Sequence, residues 1–581
     1  MAAEIYEKTN LYKLRHSAAH VLAMAAIEFD PKVKLAIGPP IESGFYYDFE
    51  FTKPLGPDDL KTLEKTMRSI INKNIVVEHK TMSHQEAVGF YKKTHQPFKQ
   101  ELAENLTDKE LGFYGIGEFW DLCKGPHVKS TGEIKAFKLL SIAGAYWRGD
   151  EHQPMLTRIY GTAFETVKEL DAYIDMLEEA KKRDHRKLGS QLDLFTFSDL
   201  VGPGLPLWTP KGMALRESLD NFIWELRQKY GYEKVEIPHI TKKALYETSG
   251  HWEKFKDELM KIATREGHEY ALKPMNCPHH TQIFNRKKWS YRQLPQRYAN
   301  TTMVYRDEQS GELSGLSRVL SITQDDAHVF CRADQVKEEI GNVWNIIEEF
   351  YGALGFKPTP RLSTRDPQKP EQYLGSPAIW DQAEKALADL VKKRGATATT
   401  GVGDATFYGP KIDFMAKDSL GREHQVATIQ LDMNMPGRFG LTYTNEEGKE
   451  APVVMIHVAI AGSLERCIAI LIEHFAGEFP LWLAPVQAVV LPISEKFVDY
   501  AREVGAELKK NSWRVEVDES DERLGKRIRN AELQKIPFVL VVGEKEVADR
   551  TVSVRMRHTA EQPTVPLNEF VKNYRPNDRS S

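Results

Sequence analysis

Two groups of metal- and proton-handling side chains stand out in this sequence. His16 and His20 in HSAAH are four residues apart, so on a helix they share one face; Cys123 and His127 in CKGPH repeat that spacing beside a Gly-Pro turn. Nitrogen and sulfur donors in this pattern point to a metal site, against the plainer reading of core or surface histidines. Zinc-protease chemistry is disfavoured, because Ser17 stands where the general-base glutamate of HExxH would be. The second group is dispersed: Cys277 in KPMNCPHH, His328 in TQDDAH and His457 in MIHVAIAG. Three N/S ligands from separate segments suit zinc with one position left open, the catalytic rather than the structural arrangement. His239, His251, His279, His280 and His424 compete for the same role.

A third group is charged. TTMVYRDEQSGELSGLSRV reads as two strands joined by a polar, Gly-containing loop, with Arg306 and Glu308 on one face of the first strand and Arg318 opening the second. HVAIAGSLERCIAI leads into a helix that begins after Gly462 and carries Arg466 in its first turn. No Walker A loop and no GxGxxG in strand–helix context is present, so a nucleotide here is not held by those cradles.

Four blocks must position these groups. At 581 residues the chain predicts about four domains, each able to bury its own core. The first block, 1–160, opens with an amphipathic helix over Leu11–Ile27, followed by a strand pair with aromatics alternating around Phe45–Phe49. A charged, helix-patterned insertion occupies 57–110. Residues 161–187 read as a solvated helical linker. The block 188–484 holds the dispersed motifs and is α+β in texture. In 485–581, AVVLPI and FVLVVG flank helical KFVDYAREVGAELKK, as in a small α/β layer.

Lys+Arg number 79 against 83 Asp+Glu, a net charge of −4, which excludes a uniformly basic coat but not a local basic face. Four scattered cysteines make a disulfide scaffold a poor reading and a reducing compartment the better one. No run of about 18 apolar residues exists and MAAEIYEKTN lacks a signal pattern, so the expectation is a cytoplasmic protein without a membrane span.

KPMNCP, YRDEQSGELSGLSRV, TQDDAH, FYGPKIDF and HVAIAGSLER, in this order, closely resemble the threonyl-tRNA synthetase family of class II aminoacyl-tRNA synthetases. The resemblance runs along essentially the entire chain, and the class I signatures HIGH and KMSKS are absent. It implies an α+β multidomain architecture: an N-terminal α+β editing domain, a catalytic core on an antiparallel sheet, and a C-terminal α/β anticodon-binding domain. Motif 1 corresponds to a helix over Lys211–Tyr230 plus a strand ending at Pro238, which in the family builds a homodimer interface. Most members begin with a small extra domain, whereas this chain starts about ten residues before its editing helix, and the expectation is a form lacking that domain.

The activity so implied is ATP-dependent formation of threonyl-adenylate and transfer to tRNA(Thr). By resemblance Arg306 holds the α-phosphate and the threonine carboxylate, Arg466 the γ-phosphate and adenine, Glu308 the adenine amino group and Arg318 the bent triphosphate, with Mg2+ bridging the phosphates of ATP. Ile322 stands where members often stack a ring on adenine. Zn2+ on Cys277, His328 and His457 would take the amine and hydroxyl of L-threonine. That matters because valine is nearly isosteric, and a site demanding the hydroxyl rejects such an analogue by about 10⁴–10⁵. Asp326 and Tyr408 match positions that fix the amino group; Gln324, Lys411, Gln425, Gln430 and Ser463 match further substrate- and ATP-facing positions.

Serine keeps the hydroxyl and loses only a methyl, a difference of about 1–3 kcal/mol, so a second sieve is required. His16, His20, Asp121, Cys123 and His127 match the family's hydrolytic site for seryl-tRNA(Thr), for which a metal-free, water-positioning role is expected. Arg529, Lys535, Glu546 and Arg555 match positions facing anticodon bases, a pattern suited to reading unstacked loop bases by their edges. Asp521 departs from the asparagine members carry and puts one base contact in doubt. Cys331 and Cys467 are expected to be packing residues. Two other readings compete: a prolyl or seryl class II synthetase, which would share motifs 2 and 3 but not the Cys277/His328/His457 set, and a synthetase-derived RNA-binding protein without aminoacylation, disfavoured by intact Arg306 and Arg466.

Overall fold

The computed structural model describes residues 6–150 and 152–579. The chain divides into two units between Glu178 and Glu179. That point lies inside the helix Val167–Arg183, which falls within the span 161–187, and strand Met155–Phe164 occupies the start of that span.

In the N-terminal unit, helix Asn10–Phe29 lies against an antiparallel sheet built on Gly44–Glu50, Met155–Phe164 and Ala136–Tyr146. Thr9 starts the helix, its hydroxyl accepting the Tyr12 N–H at 3.1 Å. Ala18, Ala19, Ala23, Ala25 and Ala26 are fully buried, and their small side chains bring the helix close to the core of Phe45, Tyr47, Phe49, Phe137 and Ile159. The charged insertion is not purely helical. After helix Pro57–Asn72, strand Val77–Ser83 pairs with Glu110–Ile116, which pairs in turn with Phe119–Leu122. Helices His84–Lys93 and Pro97–Glu104 lie between those first two strands.

The second unit is built on an eight-stranded sheet. Its order is Glu233–Lys234, Gln296–Tyr305, Ser321–Cys331, Val454–Ala459, Glu423–Asp432, Lys411–Lys417, Thr359–Thr364, Thr399–Val402. The five inner pairings are antiparallel and the two outermost are parallel. Helices Pro210–Lys229, Val336–Gly352 and Leu464–Phe475 contribute Leu215, Leu219, Ile340, Ile347 and Ile468 to the core over this sheet. In the C-terminal part, Val515–Val517, Ala488–Pro492 and Phe538–Val542 run parallel, and Thr551–Met556 and Thr564–Pro566 complete the sheet antiparallel.

Two sequence expectations change here. Strand Gln296–Tyr305 ends before Arg306 and its partner starts at Ser321, so Arg306, Glu308 and Arg318 lie on the connecting loop and not on the strands. The motif 1 strand is two residues long, Glu233–Lys234. Among the described residues no helix is long and apolar enough to cross a membrane.

Candidate functional site

Strand alternation builds the main site. In Ser321–Cys331, Gln324, Asp326 and His328 are spaced by two and face one side of the sheet. The opposite face carries Asp325, buried and ion-paired to Arg227 of helix Pro210–Lys229 at 2.7 Å. Asp325 also accepts the N–H groups of Ile460 and Ala461 at 2.8 and 2.9 Å, fixing the turn into helix Leu464–Phe475. Ser463 caps that helix by accepting the Arg466 N–H at 3.2 Å, which sets the exposed Arg466 in the first turn.

A cavity of about 570 Å³ opens here, lined by Arg306, Glu308, Arg318, Ile322, Gln324, Gln425, Ser463 and Arg466. Cys467 borders it from the buried core, and Cys331 is fully buried in the same core, so both cysteines pack as expected. Arg318 donates to Glu308 at 2.6 Å and to Glu312 at 3.0 Å, and this pairing with carboxylates raises its pKa. Arg306 Nε is buried without a hydrogen-bond partner among the described residues. A buried, unpaired guanidinium N–H suits an anionic guest.

A second cavity, of about 230 Å³, shares Arg306, Gln324, Thr428 and Ala459 with the first and adds Cys277, Asp326, His328, Tyr408, Lys411, Gln430 and His457. Burial raises the Asp326 pKa to about 6, opposed by the Asn276 amide donating to its carboxylate at 3.0 Å. Lys411 pairs with buried Asp413 at 2.7 Å, and Asp413 also accepts from Gln425 and Thr428, both at 2.8 Å, so one carboxylate braces both cavities.

Cys277, His328 and His457 converge, with one ligand atom from each lying within 4.8 Å of the others. Antiparallel register places His328 directly opposite His457, and Cys277 opens helix Cys277–Phe284. His457 Nε2 lies 3.0 Å from Asp432 Oδ2, and His328 Nδ1 2.8 Å from His280 Nδ1. The inward-facing atoms are therefore His457 Nδ1 and His328 Nε2, 3.0 Å apart. Imidazoles oriented by partners on their far nitrogens are the usual arrangement of metal-binding histidines, so the donor set fits zinc. The competing histidines have other occupations. His239 bonds Tyr305 Oη, His424 bonds Asp418, and His251 bonds Ser249, with its Nε2 3.9 Å from Cys277 Sγ; His279 lies outside the cluster.

The N-terminal unit holds the other cluster. Cys123 Sγ lies 3.1 Å from both His16 Nε2 and His127 Nε2, and the His16 and His127 rings stack at 4.1 Å between centroids, with His20 4.4 Å from His127. Ser17 Oγ bonds His127 Nδ1 at 3.0 Å. Burial is the chief cause of every shift: it lowers the His16 pKa to about 4, depresses those of His20 and His127 further, and raises the Cys123 thiol to about 12. The histidines and the thiol of this cluster are thus neutral near pH 7. Asp121 does not join it. Its carboxylate is buried and held by Lys99 at 2.7 Å, Tyr47 Oη at 2.8 Å and Tyr91 Oη at 3.1 Å. Lys99 and Tyr91 come from the charged insertion, where nothing in the sequence pattern marked them.

In the C-terminal part, Lys535 and Arg555 line a cavity of about 330 Å³ with Glu478, Glu532, Arg557 and His558. Lys535 is paired to Glu478 at 2.8 Å. Arg529 and Glu546 are not among its lining residues; Glu546 instead accepts the Gly543 N–H at 2.9 Å.

Family models match in chain order: the second additional domain of threonyl and alanyl tRNA synthetases over 111–160, the class II tRNA synthetase core domain (G, H, P, S and T) over 255–475, and the anticodon binding domain over 487–575. A threonine–tRNA ligase of Thermus thermophilus is 50% identical over 576 residues, covering 96% of this chain and 87% of the relative. That of Cytophaga hutchinsonii is 48% identical over 561 residues, with the same coverage. A crystal structure of the RNA binding domain of threonyl-tRNA synthetase from Cryptosporidium parvum superposes with a TM-score of 0.65 at 41% identity, covering 67% of this chain and 97% of that one. With a class II core on an antiparallel sheet, an additional N-terminal domain and an anticodon-binding domain, the chain belongs to the threonine–tRNA ligase family of aminoacyl-tRNA synthetases.

Proposed function

We propose that the two adjoining cavities activate L-threonine with ATP and transfer it to tRNA(Thr). The observation that carries this reading is their shared wall: Arg306 and Gln324 border both the arginine-lined cavity and the one ending on Cys277, His328 and His457. A threonine carboxylate and an ATP α-phosphate meeting at Arg306 stand in line for displacement. The carboxylate oxygen attacks phosphorus and pyrophosphate leaves, so catalysis is positioning and charge stabilisation. Arg318 and Arg466 grip the triphosphate, with Mg2+ as its counter-ion, and Arg318 exchanges Glu308 and Glu312 for phosphate oxygens. Glu308 and Gln425 face the base, and Ile322 packs on it. Asp326 and Tyr408 orient the ammonium, while Gln430 and Lys411 complete the wall. In the second half-reaction a ribose hydroxyl of tRNA attacks the activated carbonyl and AMP leaves.

Cys277 Sγ, His328 Nε2 and His457 Nδ1 would hold zinc, which supplies a Lewis-acidic position for the amine and hydroxyl of threonine. In the N-terminal unit, His16, His20, Cys123 and His127 form a neutral, water-positioning set for hydrolysis of seryl-tRNA(Thr), with no metal required; Asp121 acts there as an anchor. Lys535 and Arg555, with Arg529 and Glu546, read the anticodon. Exposed Phe197, Leu200, Val201, Leu207 and Met213, in and just before the motif 1 helix, support a homodimer through that face. Four free thiols support a cytoplasmic setting.

The domain limits we assign are 1–160 for editing, 161–187 for the linker, 188–484 for catalysis and 485–581 for the anticodon. The test is threonine-dependent ATP–pyrophosphate exchange together with zinc analysis. Cys277→Ala should lose both activity and bound zinc, whereas robust exchange with proline or serine alone would overturn the assignment. A His16→Ala/His20→Ala variant should accumulate seryl-tRNA(Thr) while activating threonine normally.

A further inference from the structure

The loop Arg306–Leu320 is tied at its base by the Arg306 N–H donating to Leu320 O at 3.0 Å, and internally by Ser314 and Arg318. Its tip is fastened from outside. The Leu316 N–H donates to His185 Nε2 at 3.1 Å, and the Leu316 side chain is fully buried in the core. Because the amide is the donor, Nε2 carries no proton, and Nδ1–H donates to Glu473 Oε1 at 2.7 Å. Glu473 lies in the last turn of the helix whose first turn carries Arg466, and its other oxygen is held by Arg422 at 2.6 Å. One imidazole therefore fastens the loop bearing Glu308 and Arg318 to the helix bearing Arg466. Gly315 is shaped to this contact: its φ is +50°, and a Cβ there would lie 2.3 Å from His185 Nε2.

Asp184, His185 and Glu473 also converge closely enough to suggest a metal site. Their lone pairs are already spoken for. Asp184 is taken by Arg186 at 2.5 Å, Glu473 by Arg422, and His185 Nε2 by the Leu316 amide. The group is a clamp.

We infer that His185 is a positioning residue for nucleotide binding, its unprotonated Nε2 holding the Leu316 amide so that Glu308 and Arg318 face Arg466 across the cavity. This rests on reading that cavity as the ATP site. Two substitutions separate the two ends of the ring. Asn places an amide N–H near Nδ1 and keeps the Glu473 bond but loses the Leu316 acceptor; Gln can place an oxygen near Nε2 and keep it. His185→Asn should raise the KM for ATP in pyrophosphate exchange about three- to tenfold, the worth of one net hydrogen bond, with the KM for threonine and the zinc content unmoved. His185→Gln should recover most of that loss. Amide hydrogen exchange over residues 313–320, without nucleotide, should quicken in His185→Asn and return toward the parent in His185→Gln.

Equal loss of ATP and threonine affinity, or no difference between Asn and Gln, would overturn the inference. Unchanged amide exchange in His185→Asn would overturn it at the anchor; faster exchange with an unchanged ATP KM would overturn it at the nucleotide end, whereas the ATP reading itself fails only if the parent shows no threonine-dependent pyrophosphate exchange. If His185→Asn does not fold, Gly315→Ala carries the same test from the loop side, with the same split between ATP and threonine expected.

Discussion

Asp432→Asn isolates the role of one outer partner of the Cys277/His328/His457 cluster. Asp432 has two duties, one per oxygen. Oδ1 accepts the N–H groups of Asn434 and Met435, both at 2.8 Å, and Oδ2 faces His457 Nε2 at 3.0 Å. Asparagine keeps one acceptor and gains one donor group. Two backbone donors outweigh one ring, so the amide oxygen stays with Asn434 and Met435 and the NH2 turns to His457. His457 Nε2 must then accept, its proton moves to Nδ1, and the nitrogen facing Cys277 and His328 loses its lone pair. Zinc must force the tautomer back. Losses of outer partners of this kind cost about 10–100-fold in metal affinity, or about 1.4–2.7 kcal/mol. The metal-free fold should change by less than about 1 kcal/mol, since every hydrogen bond persists with its polarity exchanged. Zinc affinity measured by competition with a chromogenic chelator, beside the urea midpoint of the metal-free protein, checks both numbers. Asp432→Asn binding zinc as tightly as the parent would refute the tautomer argument. An equal loss of stability and zinc would show that Asp432 acts through the fold alone.

Lys99→Met should destabilise the protein by about 3–5 kcal/mol, because it leaves the Asp121 carboxylate buried with only two tyrosine donors; a change in the urea midpoint worth less than about 1 kcal/mol would place this pair among weak surface contacts. His16, with its pKa lowered to about 4 from 6.5, makes the unfolded chain the better proton binder in between. Its share of stability is present above pH 6.5 and is lost as pH falls toward 4, worth about 3 kcal/mol in all; parent and His16→Gln unfolding compared from pH 4 to 7 reads it, and a difference growing toward acid would be the wrong sign. Hydrolysis of seryl-tRNA(Thr) should be flat from about pH 6 to 8 and fall toward pH 4, since His16 is neutral across the upper range. Gly125→Ala should cost about 1–2 kcal/mol for the left-handed backbone alone: φ is +71° and the new Cβ would sit 2.4 Å from Tyr114 Oη. It should slow that hydrolysis and leave ATP–pyrophosphate exchange intact.

What was legible in the sequence is what local periodicity reports. His16 and His20 share a helix face because the residues between them are helical, and Cys123 with His127 closes the same cluster across a turn. Arg466 falls in the first turn of a helix capped by Ser463, whereas Gln324 and Asp326 came from the family resemblance and their shared strand face from the structure. The dispersed Cys277, His328 and His457 were singled out by residue type and by the family resemblance, and among the eight candidates they are the three whose ligand atoms converge. The loop carrying Arg306, Glu308 and Arg318 was misread as strand because the apolar run before it gives no sign of where ladder hydrogen bonding stops.

Residue type, spacing and the family resemblance were together enough to single out candidate site groups. They could not name the groups that hold them. Asp432 is aimed at His457 by the register of two strands 25 residues apart, His185 is brought to Leu316 across 131 residues, and Lys99 reaches Asp121 from an insertion that looks like solvated surface. His185 and Lys99 sit among charged neighbours that predict exposure, and nothing beside Asp432 in the chain marks its partner. The burial and the partner of each exist only once distant segments pack, because a desolvated charge or imidazole must find a complementary atom wherever the fold supplies one.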